Sequence, residues 1–271
     1  MGTQLGTFGL EGGGHQSVEN PDKVEEVHKR YVSAGSKLLI TNSLTMNRIY
    51  LETHNVNVDV QEVNRSACRI ARQAAGDTCY VLGDMSSTGQ MLQPYGTYTE
   101  KQFIDNFREQ ADYLVQGGVD GFIIETMFDL NEAVCAVKGI RAVSDLPVLA
   151  LISFTTPKDG GKTMMGQGAS QCAELLTEAG ADGVGSNCGD LTPLEMADIV
   201  KVMKSAAGLP IAAEPNAGKP ELIDGETVFN MGPEEFAEGV KACIENGAEI
   251  VGGCCGTSPD HIKALAATIS G

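Results

Sequence analysis

Three cysteines at two strand ends are the residues of this chain best placed for chemistry. One lies in Ser186-Asn187-Cys188-Gly189, and two in Gly252-Gly253-Cys254-Cys255-Gly256-Thr257. Both segments follow short apolar runs and precede the start of a helix. If strands and helices alternate around a barrel, all three thiols meet at its upper rim, the C-terminal face where barrel active sites form. Three thiolates around Zn²⁺ leave one coordination position open, which makes a site for chemistry rather than a structural clamp. A thiol entering that position loses its proton at neutral pH. Three anionic ligands keep electron density on the incoming sulfur high, which points to sulfur alkylation rather than water activation. Adjacent cysteines reach one ion only where the strand has ended and the backbone turns, and Gly252, Gly253 and Gly256 permit that. The plainer alternative is a set of packed thiols with no shared centre. That reading suits Cys68, Cys135, Cys172 and Cys243 in helical patterns, and Cys79 opening a strand.

The elements that must position these cysteines are legible as a regular alternation. Strand candidates run over Lys37 to Asn42, Cys79 to Met85, Gly121 to Thr126, Pro147 to Phe154, Gly183 to Cys188, Pro210 to Asn216 and Ile250 to Cys255. They are short and mostly apolar on both faces, as strands covered by helices are. Between them lie apolar stripes at helical spacing: Val24, Val27 and Tyr31; Val60, Val63, Ala67 and Ile70; Phe103, Phe107, Ala111 and Leu114; Phe236, Val240 and Ile244. Thr99 with Gln102 and Thr192 with Glu195 spell capping boxes, the second followed by a first-turn proline. Ser258 and Pro259 open the last helix in the same way. An open doubly wound sheet would need a glycine-rich nucleotide loop after its first strand. Gly12-Gly13-Gly14 follows no strand and reads as a flexible segment. The expected fold is therefore α/β, a (β/α)8 TIM-type barrel, with the first strand missing or atypical. Seven strands fall short of eight, and Leu5 to Leu10 is the one front segment that could pair weakly. At 271 residues, a single domain over 1–271 is the economical reading.

Thirty-six acidic against 19 basic residues give a net charge of −17, which argues against nucleic acid or an anionic membrane surface as partner. No apolar run is long enough to cross a bilayer and no signal-peptide pattern opens the chain, so the expected location is cytoplasmic. Glu125 ends the very apolar run Gly121-Phe122-Ile123-Ile124, where a carboxylate must be paired or serve a ligand. Asn187 and Asn216 stand at the same strand-end face, and Glu214 has Lys219 as a ready ion-pair partner. Asp84 and Thr88 are equally well read as helix caps. Met164-Met165 is placed to offer a soft apolar contact at that face or simply to pack its loop. His15, His28, His54 and His261 are not placed like the three cysteines.

Met1-Gly2-Thr3, Thr41-Asn42-Ser43, Gly83-Asp84, Ser87-Thr88-Gly89, Glu125-Thr126-Met127-Phe128-Asp129, Asn187-Cys188, Glu214-Pro215-Asn216-Ala217-Gly218 and Gly252 to Thr257 together resemble the homocysteine S-methyltransferase family. The likeness is nearest to the homocysteine-binding domain of cobalamin-dependent methionine synthase and spans essentially the whole chain. It implies a (β/α)8 barrel in which Cys188, Cys254 and Cys255 bind zinc and zinc binds the substrate thiolate. It further implies a methyl transfer to homocysteine giving methionine, with Glu125 on the substrate ammonium and Thr126, Asn187 and Asn216 lining the substrate site. Methylcobalamin carried by a separate corrinoid protein is the donor that this resemblance suggests. The alternatives are a small methylsulfonium or methylammonium donor, another thiol acceptor, or a non-catalytic subunit of a corrinoid complex. The chain departs from the pattern in starting at the methionine that usually follows Asp-Gly-Ala, and in having Ser43-Leu44 where Thr-Phe is usual. On this reading no cobalamin- or folate-binding segment is expected after residue 271, and a methyl corrinoid would be expected to come on another protein.

Overall fold

A computed structural model of the chain describes residues 1–223 and 225–270. The contacts group into two compact units, one of Met1–Met127 with Asn131–Val148, the other of Phe128–Leu130 with the chain from Leu149 onward.

The first unit opens with three helices, α1 (Gly2–Gly6), α2 (Gln16–Glu19) and α3 (Pro21–Ala34). Strand β1 (Leu38–Ile40), helices α4 (Arg48–Thr53) and α5 (Val60–Ala75), strand β2 (Tyr80–Met85), helix α6 (Glu100–Gln116), strand β3 (Gly121–Met127) and helix α7 (Leu130–Arg141) follow. The strands pair in parallel and in chain order, with Leu38 opposite Tyr80 and Leu82 opposite Gly121. In β3, Phe122, Ile123 and Ile124 are all buried, as both faces of a covered parallel strand must be. The stripe of Val60, Val63, Ala67 and Ile70 on α5 is buried as its spacing requires. The capping box at the start of α6 forms with Thr99 and Gln102 in the expected roles.

The second unit carries β4 (Val148–Ile152), α8 (Ala169–Ala179), β5 (Gly183–Asn187), α9 (Pro193–Ala206), β6 (Ile211–Glu214), the strands β7 (Glu221–Ile223) and β8 (Glu226–Val228), α10 (Pro233–Glu245), β9 (Ala248–Val251) and α11 (Pro259–Ser270). Here β4, β5, β6 and β9 pair in parallel in that order, with Leu149 opposite Gly183, Val184 opposite Ile211, and Ile211 opposite Ala248. The capping box of Thr192 and Glu195 opens α9, with Pro193 in its first turn.

The fold class is α/β, in the element order of a TIM-type barrel whose opening strand is atypical. Each of the seven expected strands is present within a residue or two at most bounds. Two local expectations are corrected, and one element is new. Leu5 to Leu10 is not a strand: Leu5 lies in α1 and is buried against Val24, Val27 and Ile70, with Phe8 and Leu10 packed on the same cluster. Gly12-Gly13-Gly14 is not a slack tether, because a Cβ on Gly14 would lie 2.3 Å from Met46 Cγ and 2.9 Å from the Asn42 carbonyl oxygen. Finally, the antiparallel β7–β8 pair is an element the apolar pattern did not announce, since Leu222 and Ile223 are exposed.

Candidate metal centre

The site is built at the ends of β5, β6 and β9. Strand β5 finishes at Asn187, and the chain then turns through two left-handed residues, Cys188 at φ 55° and Gly189 at φ 71°. A side-chain-bearing residue in that region is strained and persists where surrounding structure holds it. Two bonds hold it here. The Cys188 N–H donates to the Glu214 carbonyl at 3.1 Å, and the Asp190 N–H donates to the Phe154 carbonyl at 3.1 Å. Gly189 is pressed so close to Phe154 that a Cβ would lie 2.2 Å from its carbonyl oxygen.

The paired cysteines follow β9. The Gly252 N–H donates to the Ala213 carbonyl at 3.1 Å, and the Cys254 N–H to the Pro215 carbonyl at 2.9 Å. The Cys255 carbonyl accepts from the Ala217 N–H at 2.9 Å. Thr257 Oγ1 closes the turn on the Cys254 carbonyl at 2.7 Å. Gly253 leaves room for this, because a Cβ there would stand 2.6 Å from Thr257 Cγ2 and 3.0 Å from the Phe236 ring.

The outcome is convergence of the three thiols expected to meet. The Sγ atoms of Cys188, Cys254 and Cys255 all lie within 4.8 Å of one another, and each residue is half-buried. Cys188 and Cys255 are 3.9 Å apart. Tetrahedral zinc with Zn–S bonds of ~2.3 Å separates its sulfurs by about 3.8 Å, so the spacing fits the ion. The donor set fits as well: soft, ionisable sulfur on residues that are only half-buried. The Cys188 thiol is pushed up to about 11; a hydrogen bond with Cys254 opposes that rise, and the bond with Cys255 together with burial outweighs it.

Two asparagines complete the surroundings. Asn187 is fully buried, and its Nδ2 donates to Cys254 Sγ at 3.6 Å. Asn216 is also buried; its Nδ2 donates to the Gly189 carbonyl at 3.0 Å and its Oδ1 accepts from the Cys255 N–H at 3.0 Å. Lys219 does not take Glu214 as its partner. It reaches Glu195 at 2.8 Å, where the capping box has already fixed that carboxylate. Met164 and Met165, in the loop after β4, are exposed.

The remaining candidates belong to the first unit. Glu125 is buried near the end of β3, and Thr126 follows it in a left-handed conformation at φ 57°. Asp84 is buried at the end of β2. Thr88 is no helix cap: its N–H and Oγ1 both donate to Glu132 Oε1 at 2.7 Å, while Ser87 Oγ donates to Oε2 at 2.8 Å. Glu132, a buried acid clasping the loop after β2, gave no sequence signal beyond its place in a helix. The thiols of Cys68, Cys172 and Cys243 are buried and pushed up to about 12 by that burial, so they are packing groups. His28 is in α3 and His261 in the first turn of α11, away from the three-sulfur cluster in role. No helix among the described residues is long and apolar enough to cross a membrane.

Comparison with known proteins adds a family. A family model described as homocysteine S-methyltransferase matches residues 1–269. The methionine synthase of Mycobacterium leprae is 32% identical over 292 residues, an alignment that takes in all of this chain and 24% of that protein. The methionine synthase of Mycobacterium tuberculosis matches with the same identity and shares. The chain thus spans about a quarter of the length of these curated relatives. Among solved structures, the metallated form of the homocysteine methyltransferase MmuM from Escherichia coli superimposes with a TM-score of 0.79 at 21% identity, covering 98% of this chain and 93% of that one. A methyltransferase from Methanosarcina mazei gives a TM-score of 0.61 at 13% identity over 94% of this chain and 86% of its own. At such identities these structures establish a shared fold.

Proposed function

We propose, for a chain that belongs to the homocysteine S-methyltransferase family, that its three-cysteine centre is a zinc site at which a substrate thiol is methylated, with homocysteine as acceptor and methionine as product. The observation carrying this reading is the convergence of Cys188, Cys254 and Cys255 with their sulfurs within 4.8 Å. Zinc held there would supply an open position at which a thiol ionises at neutral pH.

The chain's own residues do the rest. The three half-buried cysteines would hold the cation. Asn187 directs an N–H at Cys254 Sγ, drawing some electron density from that sulfur. Glu125, buried on β3, is the group proposed to hold the substrate ammonium, with Thr126 beside it. In this reading residues 1–271 act as one domain. The methyl group leaves its donor as the new carbon–sulfur bond forms, and the donor departs with the electron pair of the bond that breaks.

The donor proposed is a small methylsulfonium or methylammonium compound, which leaves as a neutral sulfide or amine. The support is the likeness in fold to the solved homocysteine methyltransferase MmuM, at a TM-score of 0.79. Methylcobalamin on a separate corrinoid protein is the competing donor, favoured by the identity to methionine synthases.

Zinc content, followed by anaerobic incubation with homocysteine and each donor in turn, tests the proposal. Methionine should form with a methylsulfonium donor, require bound zinc, and vanish in Cys255→Ser. A change in the methylcobalamin spectrum that depends on homocysteine would move the assignment to the corrinoid donor. Zinc-loaded protein that methylates homocysteine from neither donor would overturn the function.

A further inference from the structure

We propose that His261 is a positioning residue of the cysteine centre, whose imidazole ties the turn leaving the paired cysteines to the segment that ends at Met231. The inference rests on the metal-centre reading above and deepens it. His261 is the third residue of α11 and is buried, so it acts through the segments around it rather than on the sulfurs. Both ring nitrogens are engaged. Nε2 lies 2.9 Å from the Met231 carbonyl oxygen, while Nδ1 lies 3.2 Å from the Ser258 nitrogen and 2.9 Å from Ser258 Oγ. A carbonyl oxygen only accepts, so Nε2 carries the proton. The neutral ring then leaves Nδ1 to accept from the Ser258 N–H and hydroxyl.

Capping α11 does not by itself call for an imidazole. At the third residue of α6 and of α9, Gln102 and Glu195 do the same service, accepting from the N–H of Thr99 at 2.9 Å and of Thr192 at 2.8 Å. A glutamate at position 261 would cap as well, yet its carboxylate has no donor for Met231. The second nitrogen is what the histidine adds, and Met231 lies where that bond counts. The Met231 N–H donates to the Ala217 carbonyl at 3.1 Å, and the Ala217 N–H donates to the Cys255 carbonyl at 2.9 Å. Two residues earlier, Phe229 presses on Gly256, where a Cβ would lie 2.3 Å from Phe229 Cβ. The imidazole also meets the Phe236 ring edge-on at 5.4 Å, and that ring backs Gly253, whose Cβ would stand 3.0 Å from Cζ. His261 thus joins the exit of the paired-cysteine loop, at Ser258, to the segment packed against that loop.

The test separates the cap from the tie. His261→Glu keeps an acceptor for the Ser258 N–H and loses the donor to Met231. Zinc affinity is measured in competition with a chromophoric chelator, and the geometry of the centre is followed by the thiolate-to-cobalt charge-transfer bands of the cobalt(II)-substituted protein. His261→Glu should bind zinc roughly 5–100-fold more weakly, the span set by leaving one buried carbonyl unpaired. Its charge-transfer bands should shift while its far-UV circular dichroism matches wild type. Nitrogen NMR of the wild-type histidine rings at neutral pH should find His261 uncharged with its proton on Nε2. A folded His261→Glu protein with wild-type zinc affinity and unshifted bands would overturn the inference and leave His261 a helix cap only. A proton on Nδ1 of the wild-type ring would overturn it too. If His261→Glu does not fold, His261→Asn decides by the same measurements, because its shorter amide reaches Ser258 and falls short of Met231. A wild type that takes up no zinc would instead overturn the metal-centre reading and this inference with it.

Discussion

Replacing Gly256 with alanine probes how tightly the turn after the paired cysteines is built. Two independent costs can be read from the structure. Gly256 sits at φ 77°, a left-handed conformation. A residue with a Cβ pays about 1–2 kcal/mol to occupy it. The new Cβ would also lie 2.3 Å from Phe229 Cβ, 2.5 Å from its Cγ and 3.0 Å from its Cδ2. Carbon atoms pack favourably only at ~3.5–4.0 Å. Rotating the Phe229 ring does not relieve the closest contact, because Cβ is fixed to the backbone, so one of the two loops must move. Overpacking of this kind costs about 1–3 kcal/mol. Together the substitution should destabilise the protein by about 2–5 kcal/mol. Gly208→Ala is the control, since a Cβ there meets nothing within 4 Å and its backbone is not left-handed. That change should shift stability by less than about 1 kcal/mol. Urea unfolding of both metal-free variants, followed by zinc titration, gives the answer. Gly256→Ala should unfold at clearly lower urea and bind zinc more weakly. Equal unfolding midpoints for the two alanine variants would refute the reasoning.

Substitutions at two further residues test other parts of the molecule. His28 is buried, with its Nε2 lacking a hydrogen-bond partner among the described residues, and burial pushes its imidazole down to about 3. Its folded value lies below the unfolded one, so the unfolded chain binds the proton first and stability is lost as pH falls from about 6.5 toward 3. Between pH 7.5 and 5.0 that amounts to about 2 kcal/mol, which His28→Leu should abolish in urea unfolding at the two pH values; identical losses in both proteins would remove His28 from the account. Glu132→Ala leaves the Thr88 N–H and two hydroxyls without their carboxylate and should destabilise the first unit by about 2–4 kcal/mol, with Glu132→Gln milder because its amide oxygen still accepts. Equal unfolding curves for the two Glu132 variants would contradict that role.

The strands and the three cysteines were legible in the sequence because each leaves a one-dimensional trace. Phe122, Ile123 and Ile124 form an uninterrupted apolar run, and Gly252, Gly253 and Gly256 bracket the paired thiols. The residues that set the geometry leave no such trace. Asn216 acts on the carbonyl of Gly189 and the N–H of Cys255, and main-chain partners have no sequence identity to recognise. Glu132 is read as one more helical acid until the loop at Ser87 and Thr88 is seen to fold onto it. The β7–β8 pair is hidden for the opposite reason: exposed apolar residues carry no alternation to mark a strand.

The same contrast bears on what the centre is for. Three packed thiols would need no strain. Here Cys188 is held left-handed at φ 55°, and Gly189, Gly253 and Gly256 each lie where a Cβ would meet another atom at 2.2–2.6 Å. Inert cysteines such as Cys172 and Cys243 pack in ordinary helices at no such expense. Strain that persists implies surroundings that over-determine it, and a buried amide joining two loops is that kind of constraint. The arrangement brings three sulfurs to the edge length of a zinc tetrahedron while leaving them half-exposed. A structural site would favour closure by a fourth protein ligand, whereas a sulfur-activating site requires the approach to stay open.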